Sequence, residues 1–102
     1  MKETAKYAVI FVSQLSRDTR GYTQMSEEMV TRVKQQPGFL GFDSVRGDDG
    51  VGITVSYWES LEAIDGWKTD VAHGRAQRLG REHWYENFAL HVARIERSRS
   101  FP

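Results

Sequence analysis

Trp58 and Trp67 lie nine residues apart, with His73 six residues further on, and the chemistry-bearing residue types of this sequence gather there. Aromatic walls bind planar molecules and an imidazole can move a proton, so the stretch VSYWESLEAIDGW (residues 55–67) and the sequence after it read as a candidate pocket. Packing is the commoner role for a tryptophan at a strand end or at core spacing on a helix. That reading applies still more to Trp84 and Tyr85, at the start of the last strand, which read as core or dimer seam. Arg75, Arg78 and Arg81 recur at intervals of three and would form a positive ridge on a helix. Such a ridge is usually a solvated face. Turned inward, Arg75 or Arg78 would hold an anionic or phenolic substrate, and the flanking Gly74 and Gly80 would suit a pocket lid. His73, His83 and His91 lack metal-site spacing within one element and have no paired carboxylates beside them, so no metal site is expected.

The elements that must position these residues follow from periodicity. Residues 6–15 read as a strand apolar on both alternating faces, hence covered on both. Tyr22, Met25, Met29 and Val33 form one helical stripe, and Pro37–Gly38 ends it. Phe39–Arg46 and Val51–Trp58 read as a hairpin, with Asp48-Asp49-Gly50 as the turn. Ser60 is a suitable N-cap for a second helix carrying Leu61, Ile64, Trp67 (or Lys68) and Val71. Asp70 could cap a fresh turn, and Gly80 is the expected stop. Residues 84–96 alternate as a closing strand, with Phe88, Leu90 and Val92 on one face and His91 on the other, facing a barrel interior or a dimer interface.

The order β-α-β-β-α-β predicts an α+β, ferredoxin-like domain: a four-stranded antiparallel sheet with both helices on one face. Apolar residues on the other face then predict a homodimer, because monomers rarely leave more than a few hundred Å2 of apolar surface open. Length and composition agree with one soluble domain over residues 1–102, with the tail from 98 frayed: 39% of the 102 residues are hydrophobic and 27% charged. Fourteen basic residues offset fourteen acidic ones, so neither nucleic acid nor a membrane surface is an expected partner. The absence of cysteine removes thiolate chemistry and disulfides. The apolar run at residues 7–12 is too short for a signal-peptide core or a membrane span, and a cytoplasmic location is the expectation.

QPGFLGFDSVRGDDGVGITVSYWESLEAIDGWK carries Pro-Gly-Phe-Leu at the second strand, Asp-Gly in the hairpin and Trp-Glu-Ser before the second helix. It resembles the antibiotic biosynthesis monooxygenase superfamily of dimeric α+β barrels. HGRAQRLGREHWYENFALHVARIER extends the likeness, which is similar to a subgroup of uncharacterised bacterial members. The resemblance implies one of two chemistries. In the cofactor-free oxygenase branch, Trp58 and Arg78 match the pattern, whereas Thr54 and Ile64 stand where an asparagine and a tyrosine are expected. In the haem-degrading branch, Trp67 matches. The iron-ligand position falls on Gln77, with His73 one turn earlier, and the first strand lacks the expected asparagine.

The resulting expectation is a cofactor-independent monooxygenase acting on a small aromatic or easily oxidised compound. Its pocket would lie between the sheet and the second helix. Trp58, Trp67 and His73 are its expected catalytic residues, and Thr54, Arg78 and Gln77 its substrate-binding residues. Haem binding and degradation, or a non-catalytic dimer of stress response that binds a hydrophobic small molecule, are the alternatives.

Overall fold

In the computed structural model, which describes residues 2–70 and 84–102, the two-faced apolar run becomes the inner strand β1, Tyr7–Leu15. It is followed by α1 (Tyr22–Val33), β2 (Phe39–Arg46), β3 (Val51–Trp58), α2 (Leu61–Lys68) and β4 (Tyr85–Arg94). The strands form one antiparallel sheet in the order β2-β3-β1-β4, which is the ferredoxin-like arrangement. A single 3-10 turn, Lys2–Thr4, precedes β1. Among the described residues no helix is long and apolar enough to cross a membrane.

Register sorts the side chains into two faces. Tyr7, Val9, Phe11 and Ser13 of β1 stand opposite Trp58, Ser56, Thr54 and Gly52 of β3. On the other side they stand opposite Arg94, Val92, Leu90 and Phe88 of β4. This is the face the helices cover, with Val33 of α1 and Ile64 and Trp67 of α2 packing around Trp58. Trp58 is 0% exposed, and the Phe39 ring meets it edge-on at 5.3 Å.

Local chemistry accounts for the helix limits. The Ser60 side chain accepts the Ala63 N–H at 3.1 Å, capping α2 as its sequence predicts. α1 starts differently: Gly21, at φ 80°, is its N-cap without a side-chain bond, and glycine takes that backbone region at little cost. Asp70, just past α2, accepts a forked bond from Arg32 of α1 at 3.1 and 3.2 Å, and a third bond from Gln36 at 3.3 Å. These bonds tie the two helices together at one end. β4 is shorter at both ends than the 84–96 that the sequence pattern predicts, and ahead of it Trp84 turns inward, its indole N–H donating to the Arg20 carbonyl at 2.9 Å.

The opposite face holds Ala8, Ile10 and Val12 of β1, aligned with Tyr57, Val55 and Ile53 of β3 and Ala93, His91 and Ala89 of β4. No described helix covers it. Val45 and Ile53 are 74% and 43% exposed there. At one corner Lys2 donates to Asp43 at 2.7 Å and lies 5.5 Å from the Tyr57 ring centre.

Gly38 joins the sheet to α2. Its φ is +83°, its carbonyl accepts the Glu59 N–H, and a Cβ there would come within 2.5 Å of the Ala63 Cβ. Gly38→Ala is therefore expected to lower unfolding free energy by about 1–2 kcal/mol or more from the left-handed backbone alone. Urea unfolding measures this, and an unchanged midpoint would contradict it.

Candidate functional site

α1 and the helix-covered sheet face enclose a cavity of about 230 Å3. The helical stripe Tyr22, Met25, Met29 and Val33 roofs it, so residues spaced like core in fact bound a hollow. Val9, Phe11, Thr54 and Ser56 form the floor, and Trp67 and Phe39 close one end. Phe88 and Leu90 of the outer strand lie along the lining and remain 40% and 37% exposed, which places the open rim on the β4 side.

The polar groups are few and mostly committed to one another. Ser44 and Thr54 share a hydroxyl–hydroxyl bond of 2.6 Å across β2 and β3. The Ser56 hydroxyl accepts the Trp58 indole N–H at 2.9 Å. At the end away from Trp67, Arg46 reaches from β2 over β3 to β1, where it donates to the Ser13 hydroxyl at 2.8 Å. Gly52 faces Arg46 in the register and makes this possible, since a Cβ there would collide with the guanidinium. The guanidinium carbon lies 5.9 Å from the Tyr22 ring centre and 6.0 Å from that of Tyr85, which are cation–π distances. Burial, helped by a hydrogen bond with Tyr22, raises the Tyr85 phenol well above its ordinary pKa, so it stays a neutral hydroxyl.

The structure distributes the sequence-predicted site residues unevenly. Thr54 and Trp67 both line the cavity. Trp58 is packed beneath it in the core and is not among the lining residues. Ile64, at the position where the resemblance expects a tyrosine, is 3% exposed in the same core. His73, Gln77 and Arg78 lie outside the described residues, as do Arg75, Arg81 and His83. The cavity sits beneath α1, with α2 supplying Trp67, whereas the sequence reading put it beneath the second helix.

Sequence reasoning missed Tyr22, Tyr85 and Arg46 as site residues. Two signals were present: an aromatic residue heading the α1 stripe, and an arginine facing a glycine across a hairpin whose register the turn sets. Trp84 and Tyr85, read as core or dimer seam, both line the cavity. Among the described residues there is no group of three histidine, cysteine or acidic side chains able to hold a metal.

Residues 15–79 match the family described as antibiotic biosynthesis monooxygenase, which is more than half of the chain. The chain belongs to that family. An uncharacterised protein of Bacillus subtilis, YqjZ, is 48% identical over 99 residues, spanning 97% of this chain and 87% of its own length. Among solved structures, Rv0793 of Mycobacterium tuberculosis superposes with a TM-score of 0.80 at 18% identity, covering 94% of this chain and 100% of that one. SnoaB, a cofactor-independent oxygenase from Streptomyces nogalater, superposes at 0.77 with 9% identity, covering 92% and 96%. At these identities the structural likenesses establish the family's fold and carry no side-chain correspondence.

The raised Tyr85 pKa has a consequence for stability. From its ordinary value of 10.0 upward, the unfolded chain releases this proton before the folded one does. The contribution is full below pH 10.0 and is lost as pH climbs toward the folded-state value. Tyr85→Phe is expected to blunt the alkaline fall of Tm followed by circular dichroism; parallel curves for both proteins would contradict this.

Proposed function

We propose that this chain is a cofactor-independent monooxygenase whose substrate is a small, electron-rich aromatic compound held between α1 and the sheet. The observation that carries this reading is the cavity itself, walled by aromatic and thioether side chains with a few hydroxyls. Small-molecule sites have this make-up, an apolar enclosure with few polar groups to fix orientation. A volume of about 230 Å3 falls below the ~300–1,000 Å3 of drug-sized sites, suits one or two fused rings, and is small for a porphyrin. The family and the SnoaB-like fold support oxygen chemistry without a bound cofactor.

The reaction balances without a metal or flavin. An electron-rich phenol that has lost its proton passes electrons to O2; one oxygen atom becomes a new ring carbonyl. The other leaves as water with the two hydrogens given up by the ring carbon and the hydroxyl. The chain's part is to bind the ring, exclude water and favour the ionised form of the phenol. Thr54 and Ser44 offer hydroxyls on the floor, and Trp67 packs against the ring. His73, Gln77 and Arg78 keep their sequence-based assignment as further contributors, while Trp58 supports Trp67 from within the core.

The same reading includes a homodimer, in which the uncovered sheet face packs on its counterpart about a two-fold axis. The support is the exposed apolar set containing Val45, Val51 and Ile53, with Ile10 and Val12 beside it.

Oxygen consumption with a panel of phenols and hydroquinones tests the activity. One O2 is expected per substrate oxidised, and Ser26→Trp, which fills the cavity from α1, should lower kcat/KM about tenfold or more. No uptake with any compound would remove the monooxygenase reading. Light scattering tests the assembly: twice the 11.7 kDa chain mass is expected, and Ile53→Asp should yield monomers. A wild-type protein that stays at the single-chain mass at micromolar concentration would rule the dimer out.

A further inference from the structure

Among the described residues, the cavity lining has one charged member. Among the described residues that line it, every side chain but Arg46 is uncharged, and no described carboxylate pairs with Arg46. Neutral oxygens hold its guanidinium instead. Nη1 donates to the Ser13 carbonyl at 3.3 Å and the Gly50 carbonyl at 2.6 Å, and Nη2 donates to the Ser13 hydroxyl at 2.8 Å. Ser13 is only 2% exposed, so the seat is rigid. These bonds orient the group, and none of them brings a negative charge.

A guanidinium has five N–H donors, and these bonds use three of them. Ser13 takes one from each terminal nitrogen and Gly50 takes the second on Nη1. The remaining N–H groups, on Nε and Nη2, share one edge of the fork. That edge can donate to both oxygens of a carboxylate side by side, or to one phenolate oxygen. Tyr22 and Tyr85 flank the cation with neutral rings. Tyr85 keeps its proton and so does not serve as a built-in counter-ion. A half-buried cation beside an apolar hollow, without an anion among the described residues, favours a ligand that brings one.

We propose that Arg46, seated over Gly52 between Tyr22 and Tyr85, is the anchor for an anionic oxygen of the ligand. The ligand is then a small aromatic molecule carrying a carboxylate or an ionised phenol at one end. The proposal rests on the reading that this cavity is the substrate site, and it names the substrate class. Gly52 is a positioning residue, because it leaves the space in which the guanidinium lies.

Calorimetric titration of the full chain tests this without turnover. 1-Naphthoate is compared with the neutral 1-naphthalenemethanol, and 4-nitrophenol is titrated below and above its own ionisation near neutral pH. The wild type should prefer the charged member of at least one pair by about tenfold or more. A preference in the naphthalene pair assigns a carboxylate, and one in the nitrophenol pair a phenolate. Arg46→Met should abolish the preference while keeping the neutral alcohol's affinity. Gly52→Ala should weaken binding of the preferred anion with Arg46 still present, and Arg46→Gln, which keeps a donor toward Ser13, guards against a variant that fails to fold. No binding by any probe, equal affinities in both pairs, or a preference that survives Arg46→Met and Arg46→Gln would overturn the proposal. A charge preference without oxygen uptake would leave the anchor standing and remove the monooxygenase reading, and oxygen uptake without a charge preference would do the reverse.

Discussion

The rest of the structure depends on one constraint: β1 is an inner strand, apolar on both faces, so both faces of the sheet carry apolar surface. The described helices lie on only one side. There the cover is uneven: around Trp58, Val33, Ile64 and Trp67 close into a solid core, while further along α1 the roof and floor part. Tyr22, Met25 and Met29 form the roof there, over a floor of Val9, Phe11, Thr54 and Ser56.

The architecture was largely legible in the sequence because it rests on local rules. The 3-4-4 stripe from Tyr22 to Val33, the turn before Gly50 and the Ser60 cap each act over a few residues, and α1, β2, β3 and the start of α2 fall where those rules put them. The site was less legible because its geometry is non-local. Arg46 meets Tyr22, Tyr85 and Ser13 only after a hairpin, a helix and two strands have been placed. Periodicity also cannot distinguish a stripe that fills a core from one that roofs a cavity, since both present an apolar face inward.

The tryptophans show how residue type and role separate. Trp58, Trp67 and Trp84 are all buried, yet Trp58 is pure packing and the other two are packing and wall at once. A family pattern centred on the Trp58 position thus identifies the fold through a residue that never reaches the hollow. The walls belong to residues that ordinary packing would also select, so their types alone do not mark the hollow.

The Trp84 indole is bonded to the carbonyl of Arg20, 64 residues earlier in the chain, and its ring meets Tyr22 edge-on at 5.7 Å. In folding terms, the far end of the hollow is sealed only when the final strand docks beside the first. Contacts that span so much chain are entropically the costliest to close and tend to form late. A partly folded chain can already hold the β2–β3 hairpin and both described helices and still have no enclosed space. The enclosed space is therefore a property of the finished topology, because the residues that close its far end, Trp84 and Tyr85, arrive with the last strand.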